Sequence, residues 1–330
     1  VLLAGCSPTD QGPLKGSATE IEAPSFVGRE ACAKCHVEQN DRWQTSHHDR
    51  SMQAVNAENV LGDFDDSTFE QHGRRHRFFR RGDVFFVETG DGDGQLAEYK
   101  IAYTFGFEPL QQYLVGLPDG RYQALDVAWD SRPVAEGGQR WFHLQPDAFY
   151  KSGDPLHWTG VAYTWNFMCA DCHSTGFKKN YDAASNRYES SFAEIDVACE
   201  ACHGPGSAHV GWATSVSATA RAIEGVDVTG TAPATEQMGL VVVFPRGSER
   251  SWPIDADTGL AHRVPERTSQ AEIETCGRCH ARRGANASEY RFDRPLTDSY
   301  RVSLLERGLY HDDGQILDEV YVYGSFLQSR

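Results

Sequence analysis

Four times along its 330 residues the chain repeats one unit: Cys32-Ala-Lys-Cys35-His36, Cys169-Ala-Asp-Cys172-His173, Cys199-Glu-Ala-Cys202-His203 and Cys276-Gly-Arg-Cys279-His280. With 9 cysteines and 13 histidines in the whole sequence, chance supplies about 0.01 such units. Two intervening residues set paired thiols about one helical turn apart. Thiols at that spacing add to the two vinyl groups of one haem, and the next residue, His, is directed at the iron. The unit therefore reads as the attachment signature of c-type haem, with Cys32, Cys35, Cys169, Cys172, Cys199, Cys202, Cys276 and Cys279 as covalent anchors. His36, His173, His203 and His280 are the proximal iron ligands, and four covalently bound haem c are expected. Structural zinc would not need a histidine after every pair. A disulfide framework favours a shorter, cysteine-denser chain.

Haem c is attached outside the cytoplasm, so the motifs predict a periplasmic or cell-surface protein. The ninth cysteine fits that compartment. The opening Val1-Leu2-Leu3-Ala4-Gly5-Cys6-Ser7 is similar to the lipobox of bacterial lipoproteins, in which the signal peptide is cut before the Cys and a lipid is added to its thiol. Cys6 is then the lipid anchor, attached to a membrane surface that the chain does not cross. No apolar run reaches the roughly 18–20 residues that a spanning helix needs.

Lys plus Arg number 31 and Asp plus Glu 47, a net charge of −16. Such a chain repels phosphate backbones, so no nucleic-acid partner is expected. Redox partner proteins with a basic docking face suit it better. Hydrophobic residues make up 40% of the sequence, enough for a packed core.

The motifs begin at 32, 169, 199 and 276, too uneven for a tandem array. Residues 29–45 read as one helix around motif 1. Ser191 to Glu194 and Ser269 to Glu272 resemble capping boxes opening helices that run through His203 and His280. Between motifs 1 and 2 the period changes to two. Arg77 to Arg80 and Val84 to Val87 flank Gly82-Asp83 as a hairpin. Pro118-Asp119-Gly120 marks another turn. Asp91-Gly92-Asp93-Gly94 reads as a turn rather than a calcium loop, because the rest of an EF-hand is missing. Residues 210–262 read as mixed loop.

The predicted fold is α+β: mostly short helices and loops wrapped around four c-type haems, with an antiparallel β insert between motifs 1 and 2. The divisions are residues 1–24 (signal remnant, lipobox and flexible tether), 25–74 (first haem-binding segment), 75–145 (the β insert) and 146–330 (the haem-binding region with motifs 2 to 4).

Each iron has a sixth position. Nine histidines remain after the proximal four, and the distal candidates among them are His48, His209, His157, His262, His47 and His311. His72, His76 and His143 lie in or beside the β insert and read as ordinary core or surface residues. Methionines number 3, so bis-His coordination is favoured, with lower potentials than Met/His coordination gives. Arg74, Arg75, Arg282, Arg283, Lys178 and Lys179 are candidates for pairing with haem propionates.

Three stretches carry a family resemblance: Phe26-Val27-Gly28-Arg29-Glu30-Ala31-Cys32 through His36, Trp43-x-x-Ser46-x-His48, and Cys199 through Cys202-His203-Gly-Pro-Gly-Ser-x-His209. They resemble the cytochrome c-552/c-554 domain of tetrahaem cytochromes that accept electrons from hydroxylamine oxidoreductase. Tyr103 to Asn180 is closer to large multihaem cytochromes that often carry tetratricopeptide repeats. The resemblance implies that His48 and His209 serve as distal ligands to haems other than the one nearest in sequence. It also implies that many relatives continue past the segment matching Tyr321 to Phe326 into further haem motifs. The expected function is an electron relay rather than a catalyst, with no catalytic residue assigned. The alternatives are a multihaem oxidoreductase with one open-site haem, acting on hydroxylamine, nitrite or a sulfur oxyanion, and a subunit of a haem filament or other homo-oligomer.

Overall fold

A computed structural model describes residues 23–91, 93–222, 238–244, 250–303, 306–317 and 322–328. Cys6, the expected lipid anchor, lies outside them.

The chain enters through two short helices, α1 (Arg29–Ala33) and α2 (Val37–Trp43). One helix over 29–45 was expected. Instead the amides of Cys35 and His36 both donate to the Cys32 carbonyl, and His36 leaves helical backbone at φ −106°, ψ 53°.

Nine strands follow: β1 (Met52–Ala54), β2 (Ser67–Gln71), β3 (Arg74–Arg81), β4 (Val84–Gly90), β5 (Leu96–Phe105), β6 (Leu110–Gly116), β7 (Tyr122–Ala124), β8 (Val127–Asp130) and β9 (Arg140–His143). They form one antiparallel sheet in the order β2-β3-β4-β5-β6-β8-β9, with β1 on β5 and β7 on β6. The sheet thus starts at Met52, upstream of residue 75. The β3–β4 register pairs Arg81 with Val84 across Gly82-Asp83. Gly82 takes φ 59°, as a two-residue hairpin needs. The Asp91 turn is held by its own carboxylate, which accepts the amides of Asp93 and Gln95.

Alternation along these strands builds the main core. Phe78, Phe85, Val87, Ile101 and Trp141 point inward and are buried, with Phe78 and Trp141 stacked 3.5 Å apart. A second cluster, of Met52, Leu114, Ala124, Trp165 and Ala170, binds the sheet to the next two helices, α3 (Trp165–Met168) and α4 (Ala170–His173). Asn166 pegs that junction: its Oδ1 accepts the Tyr122 amide at 2.7 Å and its Nδ2 donates to the Gly120 carbonyl at 3.2 Å.

A small hairpin, β10 (Tyr181–Asp182) and β11 (Arg187–Tyr188), leads to α5 (Cys199–His203) and α6 (Ser207–Ala222). Two expectations change here. Ser191 to Glu194 does not open a helix. Its residues bridge to Lys178 and Thr175, and the Glu194 carboxylate accepts the Arg29 amide instead of turning back on Ser191. Residues 210–222, expected as mixed loop, are helical as part of α6. The chain closes with α7 (Ala271–His280), β12 (Arg283–Ala285), α8 (Leu296–Ser299), β13 (Tyr300–Val302) and α9 (Val322–Gln328). Helix α7 spans the expected segment, with the Ser269 hydroxyl accepting the Ala271 amide. Among the described residues no helix is long and apolar enough to cross a membrane.

Candidate haem attachment sites

All four Cys-x-x-Cys-His units lie on or beside short helices: motif 1 on α1 and the turn after it, motif 2 on α3–α4, motif 3 on α5 and motif 4 at the end of α7. All eight motif cysteines are free of disulfides. Among the described residues no three His, Cys, Asp or Glu side chains gather as a metal site.

The motifs touch in an order that differs from their order along the chain. Cys32 of motif 1 lies against Cys199 of motif 3 and holds its thiol down at about 7. The Cys279 thiol of motif 4 does the same for Cys172 of motif 2, also to about 7. Cys202 of motif 3 is pushed up to about 11, by burial first and then by Cys276 of motif 4 nearby. In space the units run 1, 3, 4, 2.

Charged residues inside the motifs make these joins. Glu200, within motif 3, is 1% exposed. Its carboxylate accepts the amides of Val27 and Gly28, which lead into motif 1, and of Gly206, which leaves motif 3. Arg278, within motif 4, donates to the Ala201 carbonyl of motif 3 and to Asp171 of motif 2. Sequence reasoning missed all three residues. The available signal was a charged side chain at a variable position between paired cysteines.

At two of the motifs the proximal histidine has a second histidine ring beside it. His36 and His209 have centroids 6.0 Å apart, and His48 and His280 6.3 Å. An imidazole nitrogen sits about 2 Å from a bound metal and roughly 1 Å from its own ring centre, so two rings on opposite sides of one metal have centres about 6 Å apart. The spacing fits a bis-His site. Two of the rings are held through Nδ1, as metal-ligating histidines are. The Nδ1 of His209 donates to the Met238 carbonyl at 2.7 Å and that of His203 to the Val242 carbonyl at 3.0 Å, leaving each Nε2 free. The surroundings also fit an apolar macrocycle. Helices α1 and α2 bury none of their side chains, while Val37, Phe167 and Met168, beside motifs 1 and 2, are more than half exposed.

The other expected residues lie elsewhere. His173 is lowered to about 4 by burial and then by His280 and His48, and Phe105 packs edge-on against it at 4.6 Å. His203 has Phe244 beside it at 4.9 Å. His47 rests on Phe107 at 4.8 Å. His157 is buried next to Trp158, with Nδ1 bonded to the Thr159 hydroxyl. His262 and His311 are exposed. Two of the expected propionate partners are engaged within the protein: Arg74 pairs with Asp126 at 2.8 Å and Arg283 with Asp171 at 2.7 Å. His72, His76 and His143 stay on the sheet side, around Asp126.

Paired thiols, adjacent histidines and second histidines close to two of them resemble the sites of multihaem c-type cytochromes, a class that implies covalently bound haem c and electron transfer. More particularly, residues 31–72 and 150–204 match the family described as cytochrome c554 and c-prime. That match takes in motifs 1 to 3 and the histidines at 47 and 48. Two solved structures are similar. An outer cell wall cytochrome, OcwA, has 18% identity and a TM-score of 0.42 over 90% of this chain and 44% of its own. An undecahaem cytochrome from the S-layer of Carboxydothermus ferrireducens has 20% identity and a TM-score of 0.33 over 57% of this chain and 22% of its own. The chain therefore spans less than half the length of either. No curated protein matches it.

Proposed function

We propose that the chain is a tetrahaem electron relay outside the cytoplasm, tethered through a lipid on Cys6 and docking a basic redox partner. The observation that carries this reading is the two pairs of neighbouring histidine rings, at motifs 1 and 4, with motif 3 packed beside motif 1 and motif 2 beside motif 4. His36 with His209, and His280 with His48, would hold two irons; His173 and His203 would hold the other two. A haem iron in such a site gains or loses one electron with little rearrangement. The polypeptide fixes the order of the sites as 1, 3, 4, 2 through Glu200 and Arg278. It also orients the rings through backbone carbonyls. Location follows from the chemistry of haem c attachment. The partner's charge follows from the net −16 of this chain.

One observation favours a second reading, an oxidoreductase with an open-site haem acting on hydroxylamine, nitrite or a sulfur oxyanion. Every histidine of the sequence lies among the described residues, yet only His36 and His280 of the proximal four face another histidine ring. Low-temperature EPR of the oxidised, haem-loaded protein separates the readings. Four low-spin signals, with a mass showing four added haems, support the relay. A high-spin signal that changes on adding nitrite or hydroxylamine supports the enzyme. A colourless product from a host competent for haem attachment overturns both.

A further inference from the structure

Arg278 is 4% exposed, and haem attachment asks nothing of it. Its Nη1 donates to the Ala201 carbonyl at 3.3 Å. Its Nη2 donates to the carbonyl and the Oδ1 of Asp171, at 3.3 and 3.2 Å. The guanidinium also lies over the rings of Tyr290 and Phe292, at 4.8 and 5.3 Å. Beside it Arg283 donates to Asp171 Oδ2 at 2.7 Å and to the Cys172 sulfur at 3.3 Å, with its own guanidinium 3.6 Å over Tyr300. The Tyr300 hydroxyl donates to the same Oδ2 at 2.7 Å.

The charges do not cancel. Within this group two guanidinium groups, which proteins do not deprotonate, meet one carboxylate and a neutral phenol, leaving one positive charge; the nearby Glu200 carboxylate of motif 3 is turned to the amides of Val27, Gly28 and Gly206 instead. It sits where motifs 2, 3 and 4 converge, in a chain whose net charge is −16. A buried charge is screened far less than a surface one. Each iron that passes from ferric to ferrous takes one electron from an external reductant, and its site becomes one unit more negative. A fixed positive charge nearby favours that change.

We infer that Arg278, with Arg283, is a positioning and potential-setting residue. It locks motifs 2, 3 and 4 together and raises the reduction potentials of the haems they hold. The inference rests on the relay reading, because it needs haem at those motifs.

Dithionite titration of the mature four-haem protein, with mediators, tests it. Arg278→Gln is expected to lower three of the four midpoint potentials and leave one in place. Asp171→Asn removes a charge of the opposite sign and is expected to raise the same three. Arg278→Lys keeps the charge and is expected to stay near wild type. If Arg278→Gln does not retain four haems, the Asp171→Asn and Arg278→Lys variants carry the test with the same signs. A merely structural role, in which water enters a loosened site, would move the Gln and Asn variants in one direction. That result, or unchanged midpoints in variants holding four haems, overturns the inference and leaves the relay standing. A wild-type chain without haem at motifs 2 to 4 overturns both.

Discussion

His76 makes the stability of the sheet depend on mild acid, and the size of the effect can be worked out. Its ring is 1% exposed, with Phe78 stacked 6.3 Å away on the same strand. Nδ1 meets the Thr89 hydroxyl at 3.0 Å, and Nε2 has no partner. Burial pushes its pKa from 6.5 down to about 4, although Asp126 pulls it partly back. The native state thus stays neutral where the unfolded chain already binds a proton. The His76 contribution is fully present above pH 6.5 and is lost as pH falls from 6.5 to about 4. The interval is about 2.5 pH units, at about 1.4 kcal/mol each, or about 3 kcal/mol in all. His76→Gln removes the titrating group. The fall in unfolding free energy from pH 7 to pH 4, measured by urea denaturation with far-UV circular dichroism, should shrink by about that amount relative to wild type. Equal falls in the two proteins would refute the reasoning.

His209→Ala and His48→Ala should each convert one low-spin EPR signal to high-spin, at motif 1 and motif 4 respectively, whereas His157→Ala should leave the spectrum unchanged. Gly120 and Gly137 have nearly equal φ, 82° and 81°. A Cβ on Gly120 would lie 1.9 Å from the Tyr188 carbonyl oxygen, while one on Gly137 meets nothing within 4 Å. Gly137→Ala should cost the roughly 1–3 kcal/mol of backbone strain, and Gly120→Ala clearly more, as compared by thermal denaturation.

Much of this was legible in the sequence where chemistry imposes a fixed spacing. Two thioether bonds and one iron ligand leave little freedom in Cys-x-x-Cys-His, and the turns at Gly82-Asp83 and Pro118-Asp119-Gly120 mark the sheet. The first strands were not legible. Met52–Ala54 is three residues long, and Ser67–Gln71 buries none of its side chains fully. The resemblance picks His48 over adjacent His47, while the residues alone leave both open, since the difference lies in which ring meets Phe107 and which meets His280. The spatial order of the motifs was illegible for the same reason. It depends on where the Glu200 carboxylate and the Arg278 guanidinium find partners, more than 70 residues away in sequence in each case.

Those partners also explain how segments with so little apolar core of their own are held in register. Residues 25–54 run along the whole array. The amides of Val27 and Gly28 end on Glu200 at motif 3. The Trp43 indole then donates to the Val197 carbonyl, just before motif 3. His48 reaches the ring of His280 at motif 4. Met52 enters the cluster that carries Ala170 of motif 2, and β1 joins the sheet through β5. The first segment is thus a strap laid across the other three motifs and fastened at its end to the β platform. A strap whose contacts are mostly hydrogen bonds to backbone and ring-to-ring facings gains little from hydrophobic burial. Its side chains before β1 would be ordered chiefly by the groups the histidines ligate, which is why haem attachment and the folding of residues 25–48 should occur as one event, while the sheet, with β1 in its own core, stands without them.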